Sequence, residues 1–280
     1  MQVDKTTILD IGLLDHNESK GLASHLDFCK TNGGKAHWMQ LITAPLASKY
    51  AIESRQSALE IFIAEKAFLD QMKISNGTCL VIDQFYGTGF SQIPKHISFT
   101  GAYWYQFWNK TDYAIIAYSV QHLLNFVQAL DQWLKVFEGY THNIALNELI
   151  KPIKQGIAHL DCLHINSKNL KNDPQAVLEL GYFFYYQYKT QIKNLQAHFY
   201  VLDAYYSMAT AIQEYDFIFP EWVDQLTPMI EFEGAVHPLV TNAVGNDISL
   251  NDQAGFLFLT GANMAGKSTF IKTVGLLTYL

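Results

Sequence analysis

Toward the C-terminal end of the chain, Gly261, Gly266, Lys267 and Ser268 stand at the spacing G-x-x-x-x-G-K-S. The full loop runs Gly261, Ala262, Asn263, Met264, Ala265, Gly266, Lys267, Ser268 and Thr269. An apolar run, Phe256 to Thr260, precedes it, and a helical run to Leu280 follows it. Strand, glycine-rich loop and helix in that order form the setting in which such a loop cradles phosphates. Glycines at its two ends permit backbone conformations that a Cβ would block, so successive N–H groups can turn toward an anion. Lys267 offers a point charge to β- and γ-phosphate oxygens, which makes it the catalytic candidate. Ser268 offers a hydroxyl ligand to Mg2+. The helix beginning at Lys267 adds the positive end of its dipole. These residue types at this spacing predict binding of a nucleoside triphosphate.

Other elements must position this loop. Phe256 to Thr260 reads as a buried strand of a parallel sheet, apolar on both faces. A domain of this kind needs further parallel strands, one of which presents an acidic residue that holds Mg2+. Only Phe270 to Leu280 follow the loop, enough for one helix, and no acidic strand end is placed to substitute. The expectation is therefore a fragment that does not hydrolyse ATP by itself.

Upstream, the pattern is helical. Glu18 to Lys30 and Lys35 to Ile42 read as helices around a stop at Asn32-Gly33-Gly34, and Ser48 can cap a long segment through Met72. Asn76-Gly77 reads as a turn, and residues 83–112, rich in glycine and aromatics, fit no element. Tyr113 to Phe137 and Lys151 to Leu163 read as helices. Asp173 is a natural N-cap with Pro174 at the first helical position. Leu195, Phe199, Leu202, Tyr206 and Ala209 then follow the spacing of a packed seam. One continuous helix from Pro174 to Tyr215 would extend roughly 60 Å; two helices with a kink near Gly181 are the alternative. Met229 to Phe232 and Asp247 to Leu250 read as strands around a His237-Pro238 turn, in a mixed sheet leading to the loop.

Composition narrows the function. Half of the 280 residues are hydrophobic (49%), which argues for a packed chain and against disorder. The net charge of −7 excludes an overall basic field of the kind that dominates nucleic-acid affinity. Arg55 is the only arginine, a handicap for bidentate phosphate or guanine contacts. Cys29, Cys79 and Cys162 lack C-x-x-C spacing and read as unpaired thiols of a reducing cytoplasm. The most membrane-like stretch, Tyr113 to Phe137, is broken by Gln121, His122, Asn125, Gln128, Asp131 and Lys135 and fails as a spanning helix. A cytoplasmic protein with no membrane partner is expected.

The loop from Thr260 to Thr269 closely resembles the phosphate loop of the MutS family of DNA mismatch repair ATPases, usually T-G-P-N-M-A-G-K-S-T, with Ala262 replacing the proline. His237-Pro238-Leu239-Val240 and Asn246-Asp247-Ile248 resemble two further segments of that family. Leu202-Asp203-Ala204 through Pro220-Glu221 resembles the end of its lever helix. Gly34-Lys35, Trp38, Pro45-Leu46 and Ile52 to Gln56 resemble part of its core domain. The likeness covers roughly residues 6–62 and 200–280. It implies a mainly α helical core and lever domain, residues 1–222, followed by the first part of an α/β P-loop NTPase domain, residues 223–280. It also implies ATP and Mg2+ as cofactors, DNA as a partner, and a homodimer formed through the complete ATPase domains. ATP binding and hydrolysis would then move the levers on DNA. The mismatch-reading domain has no counterpart, so mismatch reading is not expected. Where the family commonly packs an aromatic on adenine, this chain has Ala243, with Val244 beside it for apolar contact.

Other constellations weigh less. His159, Asp161, Cys162 and His164 have metal-like types, but on a helix His164 lies well around from His159, so packing or surface roles are the expectation. His237 could be a base; the resemblance implies a structural or nucleotide-adjacent role. The aromatics of residues 182–188 and 199–206 have only Lys189 and Lys193 nearby, which favours helix packing or a dimer face over base stacking. Two alternatives to the leading reading stand: a helical dimerisation scaffold with a non-functional ATPase remnant, and a P-loop ATPase with no DNA role.

Overall fold

The computed structural model describes residues 3–15, 21–71, 73–158, 160, 169–223 and 227–280. Helices dominate. They are α1 (Lys5–Asp10), α2 (Leu22–His25), α3 (Asn32–Thr43), α4 (Lys49–Ala64), α5 (Lys66–Leu69), α6 (Asn76–Gly87), α7 (Phe99–Trp108) and α8 (Lys110–Phe137). After them come α9 (Ile144–Ile157), α10 (Pro174–Tyr182) and α11 (Lys189–Glu214). Two antiparallel strands, β1 (Ile230–Ala235) and β2 (Asn246–Leu250), and a last helix, α12 (Lys267–Tyr279), complete the described chain.

Local chemistry sets the helix starts. Ser48 Oγ accepts from the Ala51 N–H, and Asp173 accepts from the Ala176 N–H with Pro174 at the first helical position, so both expected caps are present. Two expectations fail for the same reason. Asn32-Gly33-Gly34 starts α3 instead of stopping a helix, because Thr31 Oγ1 accepts from the Gly34 N–H at 3.0 Å. Asn76-Gly77 opens α6 instead of making a turn, because Ser75 Oγ accepts from the Thr78 N–H. A capping side chain outweighs the weak helix propensity of Asn and Gly next to it. Within residues 83–112, the end of α6 and the whole of α7 are helical.

The main core gathers α4, α6, α8, α9, α10 and α11. Along α8, Ile116, Val120, Leu123, Val127, Leu130, Leu134 and Phe137 are buried at helical spacing. Asn125 and Lys135 face solvent on the other side, and Lys135 pairs with Asp131 at 2.7 Å. Each such apolar side chain contributes about 1.5–3 kcal/mol when fully buried. Among the described residues no helix is long and apolar enough to cross a membrane.

The run from Pro174 to Tyr215 is interrupted. Phe183–Gln187 forms a π-helical turn, closed by the Tyr188 N–H donating to the Phe183 carbonyl at 2.9 Å, and α11 begins afresh at Lys189. The interruption lies just past Gly181, and the continuous 60 Å helix is not formed. The turn puts Phe184 fully inside, and Tyr185 donates its hydroxyl to the Thr88 carbonyl at 2.7 Å. Leu195, Phe199, Leu202, Tyr206 and Ala209 are all buried along α11, as their spacing predicts.

The N-terminal segment is tied to α11 by a buried carboxylate. Asp203, 1% exposed, accepts from the Lys30 N–H at 2.9 Å, the Thr31 N–H at 2.9 Å and the Thr31 hydroxyl at 2.7 Å. Burial raises its pKa above the ordinary carboxylate value although these donors and the Lys30 charge pull the other way. Ser207 continues the seam by accepting from the Phe28 N–H at 2.8 Å.

Two sheet expectations are overturned. Among the described residues the sheet is a two-stranded antiparallel hairpin, not a mixed sheet, with Phe232 opposite Ile248. Phe256 to Thr260 is not a strand: Phe256 is 81% and Phe258 78% exposed, and no described strand lies beside them. An apolar run becomes a buried parallel strand only when neighbours satisfy its backbone and helices cover its faces.

Candidate phosphate-binding site

The loop curls ahead of α12. Gly266 has φ +83° and ψ 7°, a left-handed conformation in which it serves as the N-cap of α12. Glycine adopts this without steric cost. Because Gly266 has no side chain, no side-chain hydrogen bond caps the helix, and the first N–H groups of α12 keep their affinity for an anion. Met264 is also left-handed, at φ +64°, and its side chain is fully exposed.

Lys267 folds back over the loop. Its ammonium donates to the Gly261 carbonyl at 2.7 Å and to the Ala262 carbonyl. The structure thus brings Gly261, Ala262, Gly266 and Lys267 together in one turn, with Asn263, Met264 and Ala265 at its exposed rim. Ser268 and Thr269 sit exposed in the first turn of α12, and the Thr269 carbonyl accepts from the Thr273 hydroxyl at 2.8 Å. A left-handed glycine, an uncapped helix start and a lysine spanning the mouth fit a phosphate group. Among the described residues no group of three His, Cys, Asp or Glu could hold a metal ion. The His159, Asp161, Cys162 and His164 set lies outside the described residues.

The segments expected near the nucleotide lie on and around the hairpin. His237 accepts through Nδ1 from the Leu239 N–H at 3.3 Å. Burial and then the nearby Lys272 of α12 lower its pKa, which suits a neutral acceptor that orders the turn. Asp247 accepts from the Gly234 N–H at 2.7 Å and Asn246 donates to the Val244 carbonyl at 3.1 Å, so both hold the hairpin in shape. Ala243 is half-buried and Val244 is 84% exposed.

The sequence reading missed how α12 is held. Leu276 is fully buried in a second core with Ile8, Leu13, Leu22, Trp38, Ala204 and Ala211. Tyr279 donates its hydroxyl to the Ile42 carbonyl of α3 at 2.9 Å. The far end of the helix that follows the glycine-rich loop is therefore packed on α3, α11 and the first helices. The buried positions Thr273, Leu276 and Tyr279 recur every three residues and signal a buried face, but nothing local names its partner.

No protein-family model matches the chain. Curated relatives match part of it. The DNA mismatch repair protein MutS of Carboxydothermus hydrogenoformans is 36% identical over 101 residues, covering 34% of this chain and 12% of the relative. The DNA mismatch repair protein MSH3 of Vanderwaltozyma polyspora is 32% identical over 108 residues, 34% of this chain and 10% of its own length. MutS of Thermotoga petrophila is 44% identical over 55 residues, 18% of this chain and 7% of the relative. The matched segments thus span about an eighth or less of the relatives' lengths. Over that third of its length, the chain is similar in sequence to DNA mismatch repair proteins of the MutS and MSH3 type.

Proposed function

We propose that this chain is the helical part and the phosphate-binding part of a MutS-like protein that binds ATP with Mg2+ and acts on DNA. In this reading residues 1–222 form the helical core and lever, and residues 223–280 begin an ATPase domain that dimerises when complete. The observation that carries it is the loop itself: a left-handed Gly266, an uncapped α12 start and Lys267 across the mouth, in a sequence that also aligns with MutS proteins. Lys267 binds the phosphates, the first N–H groups of α12 orient them, and Ser268 gives Mg2+ a ligand. Mg2+, when bound, neutralises charge shared by the β- and γ-phosphates. Anchoring of α12 on α3 and α11 supports a lever role, since movement of the loop acts directly on the helical part.

The test is turnover by the full-length protein. Lys267→Ala is expected to abolish ATP hydrolysis with the fold retained by circular dichroism; undiminished turnover would overturn the assignment. The DNA role is tested separately by binding to duplex, single-stranded and branched DNA at low salt, where phosphate contacts are strongest. Absence of binding to all three would leave an ATPase without a DNA role.

A further inference from the structure

We propose that the cavity between α6 and α8 binds a small, uncharged, bicyclic aromatic molecule through a hydrogen bond to Ser119. It shares no residue with the phosphate loop, and the inference does not rest on the nucleotide reading. The cavity has a volume of about 660 Å³, within the roughly 300–1,000 Å³ of small-molecule sites. Val81, Gln84 and Phe85 of α6 and Ile115, Tyr118 and Ser119 of α8 line it. Phe85 is fully buried and Ser119 is 2% exposed, whereas Tyr118, 57% exposed, stands at the rim. Buried helix hydroxyls elsewhere return to the carbonyl one turn back. Thr210 donates in this way to Tyr206 at 2.9 Å, and Thr273 to Thr269 at 2.8 Å. Among the described residues the Ser119 hydroxyl has no hydrogen-bond partner. Trp133 Nε1 and Gln196 Oε1 also lack partners there, but both are sealed in the core. Ser119 opens on the cavity instead, where a ligand can reach it. A buried hydroxyl left unpaired costs free energy that a pairing ligand group recovers.

The walls select the rest of the ligand. Two rings line the cavity, and neighbours hold both in place. Phe85 packs edge-on against Tyr185 at 5.3 Å, and Tyr118 packs against His122 at 4.6 Å. Rings already fixed lose little freedom on binding, and they suit a planar aromatic guest through offset-stacked or edge contacts. Among the described residues none that lines the cavity is charged. A carboxylate, phosphate or ammonium would lose its hydration there and gain no counter-charge. A bare hydrocarbon would cover Val81, Phe85 and Ile115 but leave Ser119 unpaired. An aromatic frame carrying a hydroxyl or a ring nitrogen satisfies both requirements, because a serine hydroxyl donates and accepts.

Titration of the full-length protein with naphthol, naphthalene and naphthoate, read by ligand fluorescence, tests this. Naphthol is expected to bind about fivefold more tightly than naphthalene, the share of one hydrogen bond, and naphthoate is expected to bind weakest. Ser119→Ala is expected to weaken naphthol about fivefold and to leave naphthalene within about twofold. A purely structural effect of the substitution would weaken both ligands alike. Val81→Trp combined with Ala114→Trp, which narrows the mouth from both helices, is expected to abolish binding of both with unchanged circular dichroism. ATP with Mg2+ is expected to leave naphthol binding intact, so that this site and the phosphate loop are read separately. Four results would each overturn the proposal: no binding of naphthol, no difference between the two ligands in Ser119→Ala, full binding by the double Trp variant, or displacement by ATP.

Discussion

At the scale of single residues, Asp203 and Lys267 show two opposite uses of a charge. Lys267 lies at an open loop, where its ammonium donates to the Gly261 and Ala262 carbonyls. Asp203 is sealed between α11 and the start of α3, with three donors on its two oxygens. Asp203→Ala would leave those donors buried without a partner, and is expected to cost about 3 kcal/mol by chemical denaturation. The pH dependence follows from burial, which raises the folded-state pKa above the unfolded value. Between the two values the native state binds more protons than the unfolded chain. The Asp203 contribution to stability therefore rises as pH falls through its folded pKa, and is least at neutral pH. Denaturation across the acid range, compared with Asp203→Asn, checks the sign: the wild-type contribution should increase on acidification relative to the amide variant. The thiols of Cys29 and Cys79 are unpaired, and burial raises both pKa values, to about 11 for Cys79. That suits packing and not nucleophilic chemistry.

Secondary-structure elements meet where side chains are small enough to allow it. A Cβ on Gly34 would sit 2.1 Å from Asp203 Oδ2, and one on Gly181 would sit 2.6 Å from Ile116 of α8. Gly34→Ala is expected to push α3 away from α11 and lower stability by about 3 kcal/mol, readable as a fall in denaturation midpoint at unchanged slope. In sequence, Gly181 reads as a local weakness of a long helix. In the structure it is the crossing point of α10 and α8, a role that depends on a neighbour distant in sequence. The α8 stripe and the α11 seam were legible because each repeats at helical spacing. The starts of α3 and α6 are hidden behind Asn and Gly, because the Thr31 and Ser75 caps outweigh those residues' weak helix propensity. The π-helical turn carried no readable signal beyond Gly181 and the aromatic run that follows it.

Across the whole molecule, α12 belongs to two structures at once. Its first turn follows the glycine-rich loop and its last turns lie in a core shared with the N-terminal helices and α11. Leu276→Ala is expected to cost about 3 kcal/mol, the usual penalty for truncating a fully buried leucine. It should also speed amide hydrogen exchange in α12 while exchange in α8 is unchanged. Equal acceleration in both helices would mean that the two cores unfold together and that α12 is not separately held.

What the sequence determined by itself is the local part: the helix that begins at Lys267, the helical class of residues before 220, the hairpin strands and the caps at Ser48 and Asp173. Each rests on residues within a few positions of one another, where backbone geometry and hydrogen bonding are set by near neighbours. Only the tertiary structure decided that Asp203 receives the α3 start, that α12 docks beside Trp38 and Ala204, and that Phe256 to Phe258 stay exposed. The first two outcomes join residues up to about 237 positions apart, as Ile42 and Tyr279 are. A contact of that kind is selected by the shape and polarity of two surfaces, and neither surface exists until the chain has folded.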